Sequence, residues 1–292
     1  MLALINAPSV LGLRPTGVEL LPEALQRAGL SKKLAFYTTQ TVTPPAYNTK
    51  RDPVSHLLNP KGLATYAVQL ADAIQETLQN NQFPVVLGGD CSNLLGIMLA
   101  LKRMGRYGLF DLDGHADFYL PEQSPTGQAA DSALALLSGR GSDVMTNLEG
   151  LGPLAQEKDI VLFGQRDQPE TVKQHSLQIA DTNIHVFDLA TIQRAGVQES
   201  AQLALAALMG RPIEGFWIHL DVDVIDDAQM PAVDYRLPGG LTFDELETVL
   251  TLLLHEPKAI GLDIAIYNPK LDPHQTGAKK LTKLLASVLA NR

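Results

Sequence analysis

The chain has 292 residues, of which 45% are hydrophobic and 19% charged, a balance that suits a globular protein with a full core. Its 23 basic against 32 acidic residues leave a formal charge of −9, which argues against nucleic acid or an anionic membrane as partner. The single cysteine, Cys91, excludes an intrachain disulfide and fits a reducing compartment. The opening MLALINAPSV reads as a first strand rather than a secretion signal, and no apolar run approaches the ~20 residues of a membrane span, so a cytoplasmic location is expected.

In chain order, strands alternate with helices. Leu2–Ile5 reads as a strand, and Val18–Ala28 as a helix with Pro22 in its first turn and Gly29 as its stop. Leu34–Tyr37 is a second short strand, and residues 41–56, rich in Pro, Thr and Asn, are a surface loop. Lys61–Asn80 has helical spacing, and Phe83–Leu87 is an apolar strand ending in Gly88-Gly89-Asp90-Cys91-Ser92. Leu94–Arg103 is helical. Tyr107–Leu112 is a strand running into Asp113-Gly114-His115-Ala116-Asp117, with a helix after it around Ala129–Ser138. Strands follow at Asp159–Phe163 and Ile184–Phe187, then a helix at Ala201–Met209. Gly215–Leu220 is a buried strand leading directly to Asp221-Val222-Asp223, with Asp226-Asp227 close behind. Thr242 and Glu245 make a capping box for a helix to Leu254, Ala259–Ile266 is the last strand, and Thr276–Ala290 a closing helix. This alternation predicts one α/β domain, 1–292, around a mainly parallel sheet covered on both faces.

Parallel sheets build their sites at the carboxyl ends of strands. Three such ends carry polar cargo here, and together they offer Cys91, Asp113, His115, Asp117, Asp221 and Asp223. Ionised carboxylates repel one another and are costly to desolvate; divalent cations remove both penalties. The set is too large for one tetrahedral ion but suits two, with bridging carboxylates. Oxygen-rich ligation with an imidazole favours Mn²⁺, with Fe²⁺, Ni²⁺ or Zn²⁺ as alternatives. His219, in the strand before Asp221, faces the same side as that aspartate, which suits a supporting role behind the ligands.

These motifs resemble the ureohydrolase superfamily of arginases and agmatinases. Gly-Gly-Asp-His-Ser of that family appears as Gly88 to Ser92, Asp-Ala-His-x-Asp as Asp113 to Asp117, and Asp-x-Asp before a Pro/Gly-rich loop as Asp221 to Asp223 with Gly239-Gly240-Leu241. Gly17-Val18-Glu19 and Asn268-Pro269 also match, so the likeness covers nearly the whole chain in order. The resemblance implies a three-layer α/β/α fold with an eight-stranded parallel sheet and two manganese ions per chain. It implies a bridging hydroxide that attacks a guanidinium carbon. Asp113 and Asp221 would bridge the ions, Cys91 and Asp117 would complete one, and His115 and Asp223 the other. Asp117 would also orient the hydroxide. Thr126 and Gln128 occupy the positions that hold a substrate carboxylate in arginases, with Asp234 and Arg236 as further candidates in the loop after the third motif. A small-molecule substrate and a homo-oligomer, trimer or hexamer, are implied as well.

Four positions depart from the family pattern. Cys91 stands where the first metal-binding His is usual, and its soft sulfur favours Zn²⁺ or Fe²⁺ over Mn²⁺. Ala130 replaces a proton-shuttling His; the neighbouring Asp131, or solvent, could substitute, and Asp131 reads first as a helix N-terminal charge. Ile266 replaces the Glu that grips the guanidinium, which disfavours free L-arginine as substrate. No ammonium-binding Asp follows Gly164-Gln165-Arg166-Asp167, where Arg166 and Asp167 read as a structural ion pair. The expected activity is metal-dependent hydrolysis of a C–N bond in a guanidino, amidino or formimino compound. An N-hydroxyguanidine hydrolase or a catalytically silent relative are the alternatives.

Overall fold

The computed structural model describes residues 1–290 and 292. Eight strands form one sheet: β1 (Leu2–Asn6), β2 (Phe36–Thr41), β3 (Phe83–Leu87), β4 (Gly108–Leu112), β5 (Ile160–Phe163), β6 (His185–Phe187), β7 (Phe216–Asp221) and β8 (Ala259–Ala265). Their spatial order is β2-β1-β3-β8-β7-β4-β5-β6, and every pair is parallel. The inner strands are buried on both faces, which is why they read as unbroken apolar runs rather than alternating ones. The α-helices pack among themselves in two groups: one holds Pro60–Gln79 and Asn93–Met104, the other Val197–Met209, Phe243–His255 and Thr276–Leu289. With the sheet between them, they complete three layers.

Helix Pro60–Gln79 buries Leu63, Tyr66, Ala67, Leu70, Ala71 and Ile74, one stripe at helical spacing. Thr242 caps Phe243–His255 with the expected box, its hydroxyl accepting from the Glu245 N–H at 3.2 Å. No helix among the described residues is long and apolar enough to cross a membrane.

Three expectations shift. The strand expected at Leu34–Tyr37 begins at Phe36 and continues through Thr38, Thr39 and Gln40 to Thr41. It lies at the sheet edge, mostly exposed, so it needs no apolar alternation. The helices expected at Val18–Ala28 and Ala129–Ser138 each divide into a 3₁₀ turn and a shorter α-helix, Leu21–Arg27 and Ala133–Leu137. Short helices at Leu30–Lys33, Asp143–Thr146, Gln168–Lys173 and Leu189–Ala195 carry too few turns to print a periodicity.

The strand order decides where the site lies. The central strands β3, β8, β7 and β4 are neighbours, although Cys91 after β3 and Asp221 at the end of β7 are 130 positions apart. Their carboxyl ends open on one crevice, as the rule for open parallel sheets requires.

Candidate active site

The turn after β3 is built on close backbone approach. A Cβ on Gly89 would sit 1.8 Å from the Ser9 carbonyl oxygen, so only glycine fits. Asp90, buried, accepts from the N–H groups of Gly12 at 3.1 Å and Ser92 at 2.9 Å, tying the N-terminal loop to the motif. Desolvation raises its carboxyl to about 6. Asp90 is thereby an anchor, and the next residue faces the crevice. Cys91 donates its thiol to Oδ2 of Asp221 at 3.0 Å. Burial, then the nearby charges of Asp221, Asp117 and Asp113, push that thiol well up.

After β4 the chain folds back on itself. Asp113 Oδ1 accepts from the His115 N–H at 2.6 Å, and Asp223 Oδ1 accepts from the Gly114 N–H at 3.1 Å. His115 Nδ1 lies 2.9 Å from Asp223 Oδ2. Asp221 caps the 3₁₀ turn Val222–Val224, accepting from the Asp223 N–H at 2.8 Å. Two groups of donor atoms result, each within 4.8 Å of one another: Cys91, Asp113, His219 and Asp221, and Asp113, His115 and Asp223. Asp113 belongs to both. Burial raises the carboxyls of Asp111, Asp117 and Asp221, and that of Asp113 to about 6, with repulsion among the acids adding to the shift; Asp223, although buried, is drawn down by His115. Such a set suits divalent cations, which would replace that repulsion by attraction.

Of the sequence-derived candidates, Cys91, His115, Asp117, Thr126, Gln128, Asp221, Asp223, Asp234 and Arg236 line one cleft of about 350 Å³, and the buried Asp113 joins its floor through both donor groups. Asp117, at a left-handed φ of 44°, stands beside the donor groups but belongs to neither. Thr126 donates its hydroxyl to Asp131, and Tyr235 donates to Oε1 of Gln128 at 3.0 Å. Asn268 donates to Asp234 at 2.6 Å, and Thr16 does so as well. Arg236 pairs with Asp227 at 2.6 and 3.0 Å, a partner outside the cleft lining.

Two readings need correction. Arg166 and Asp167 do not pair. Arg166 donates to the Asp223 carbonyl at 2.6 Å and the Leu237 carbonyl at 3.3 Å, while Asp167 accepts from the Ala116 N–H at 3.1 Å and from Gln165 at 2.9 Å. Arg166 braces the Asp221–Asp223 segment and Asp167 the Asp113–Asp117 segment. Asp131 does more than complement a helix dipole: its carboxylate gathers the hydroxyls of Thr126, Ser124 and Ser132 on the cleft wall. The cleft also takes Leu13, Tyr119, Glu170, Gln174 and Tyr235, which the sequence did not single out. Tyr119 sits beyond Asp117 on the same segment and Tyr235 lies between Asp234 and Arg236, both within reach of motif reading; Leu13, and Glu170 and Gln174 from the helix Gln168–Lys173 and its C-cap, carry no local signal.

Ile266 is buried and lines the cleft with φ at 71°, a conformation that a β-branched residue adopts only under constraint. Its N–H donates to the Gly89 carbonyl at 2.8 Å, which holds it there.

The Arginase family model matches residues 2–291. The arginase of Staphylococcus aureus (strain COL) is 30% identical over 296 residues, covering 97% of this chain and 95% of that one. The solved arginase of Bacillus caldovelox superposes with a TM-score of 0.87 at 25% identity, over 100% of this chain and 98% of the other. At the level of fold alone, the formimidoylglutamase of Bacillus subtilis superposes with a TM-score of 0.76 at 16% identity, over 99% of this chain and 85% of that one. A whole-chain family match, a shared sheet and the gathered acid cluster agree: this chain belongs to the Arginase family, hydrolases of C–N bonds in linear amidines.

Proposed function

We propose that the chain hydrolyses a C–N bond of a guanidino, amidino or formimino compound in the cleft above β3, β7 and β4. Divalent cations, Mn²⁺ first among them, would be held by Cys91, Asp113, His115, Asp117, Asp221 and Asp223. The observation that carries this reading is Asp113, a buried carboxylate shared by two donor groups. Cations bound there would acidify water, so that hydroxide exists near neutral pH.

The side chains divide the remaining work. Asp117 projects into the cleft beside both donor groups and would orient the attacking hydroxide by accepting a hydrogen bond from it. Gln128 has its oxygen engaged by Tyr235, which leaves its amide N–H groups for a substrate acceptor. Thr126 donates to Asp131 and accepts from the Gln128 N–H at 3.0 Å, so it positions Gln128 on the cleft wall, while Asn268 and Thr16 anchor Asp234. Asp131, Asp167, Glu170 and Asp234 line the cleft against one cation, Arg236, which is paired with Asp227, so a tail bearing an amine is favoured. Ile266 puts an apolar wall where a carboxylate would be needed to grip a free guanidinium, which argues against L-arginine. A cytoplasmic homo-oligomer is part of the same proposal by family likeness.

Elemental analysis before and after Mn²⁺ loading, combined with a screen of guanidino, amidino and formimino compounds, tests the reading. We expect bound metal and release of urea, ammonia or formamide, both abolished by Asp113→Ala. Turnover in Asp113→Ala equal to wild type, or no metal in either protein, would sink it.

A further inference from the structure

Parallel register sets a second row of polar groups directly beneath the first. Asp111 of β4 pairs with His219 of β7, and His219 with Asp263 of β8. Asp113 and Asp221 follow two residues on, on the same face and ~6.6 Å further along the strands. All three residues of the lower row are buried.

The hydrogen bonds within this row are one-sided. His219 Nδ1 lies 2.7 Å from Asp263 Oδ2, and the other oxygen of Asp263 accepts from Trp217 Nε1 at 2.7 Å. With Nδ1 engaged by a carboxylate, Nε2 is the one ring position left for a cation, which would displace any proton there. Among the described residues that nitrogen has no hydrogen-bond partner, and neither has Asp111 Oδ1, which stands 4.0 Å away, too far for a hydrogen bond. A buried polar atom without a partner is costly unless a cation takes it. His219 is also among the donors gathered within 4.8 Å with Cys91, Asp113 and Asp221.

We propose that His219 supplies the imidazole ligand of the cation beside Cys91, with Asp263 fixing its orientation. The proposal rests on the metal-dependent reading above. It relocates the nitrogen donor from the end of β3, where Cys91 now stands, to the middle of β7. A donor set of one sulfur, one imidazole and two carboxylates is softer than the Asp113, His115 and Asp223 group. It therefore favours Zn²⁺ or Fe²⁺ there over Mn²⁺.

X-ray absorption at the zinc edge of the Zn²⁺-loaded full chain decides the matter without a variant. The expected spectrum has two imidazoles and one sulfur per two zinc ions, from His219, His115 and Cys91. His219→Asn, which can still donate to Asp263, should lose one imidazole and weaken one ion at least ~10-fold in chelator competition, with circular dichroism and melting unchanged in the metal-free state. Asp263→Asn should weaken the same ion ~10- to 100-fold while keeping both imidazoles. Two zinc ions with a single imidazole in the wild type, or His219→Asn retaining both ions at unchanged affinity, overturns the proposal and leaves the hydrolase reading standing. A wild-type chain that takes up no zinc overturns both.

Discussion

The Cys91 thiol and the Asp221 carboxylate meet at 3.0 Å across the end of β8, joining the first and third motifs through one hydrogen bond. Burial and surrounding acids hold this thiol in its protonated form, with only 2% of the residue exposed. Reactivity belongs to the thiolate. Alkylation of the native metal-free protein by iodoacetamide is therefore expected to run about 100-fold slower than in guanidinium chloride. Mass spectrometry over a time course checks this, and equal rates would mean that the thiol is neither buried nor bonded as described.

Asp131 provides a pH signature. Burial raises its carboxyl to about 6, against three hydroxyl donors that pull the other way. A folded value above the unfolded one means that the folded state holds its proton longer. The stabilisation is complete below about pH 4 and is lost as pH rises through 6. Asp131→Asn should remove this loss. It should melt higher than wild type above pH 7 by about 1 kcal/mol, a figure reduced because the residue is partly exposed on the cleft wall. Below pH 4 the two proteins should converge, and melting curves at pH 4, 6 and 8 make the comparison.

Ile266 bears on specificity. Ile266→Glu places a carboxylate on a wall that is now apolar, and it removes β-branching from a left-handed residue. Charge-assisted pairing is worth about 1.5–3 kcal/mol, so kcat/KM for a cationic guanidinium should rise about 10- to 100-fold relative to an N-hydroxyguanidine analogue assayed where its less basic head group is uncharged. Steady-state assays on the pair of compounds give the ratio. A ratio that stays put would mean that residue 266 does not touch the reacting group.

Gly261 supports the row beneath the site. A Cβ there would lie 2.0 Å from the Trp217 ring, and Trp217 holds Asp263, which in turn holds His219. Gly261→Ala is expected to cost about 1–3 kcal/mol by overpacking. Chemical denaturation measures that loss, and indole fluorescence, from the only tryptophan, should shift with it.

The three acidic strand-end motifs were legible because each is a local device. A strand ends, a glycine-rich or 3₁₀ turn follows, and the donors sit within a few residues of the strand, so Cys91, Asp113, His115, Asp221 and Asp223 could be collected by reading strand ends alone. Inner strands were legible for a similar reason, since burial on both faces leaves continuous apolar runs. The edge strand Phe36–Thr41 was misplaced because an exposed edge imposes no such pattern.

What the sequence determined by itself was therefore the alternation of elements and the chemistry carried at their ends. What only the tertiary structure decided was which strands became neighbours and in what register. Asp111, His219 and Asp263 lie far apart in the chain, and nothing local in any of them announces the other two. Their row exists because β4, β7 and β8 pair side by side, and pairing is set by how the whole sheet buries its two faces rather than by the residues in the row. The same holds for Asp131, Thr126, Asp234 and Ile266 on the cleft wall. Their types could be read in advance, but their hydrogen-bond partners come from other loops, and those partners decide which atoms remain free for a substrate.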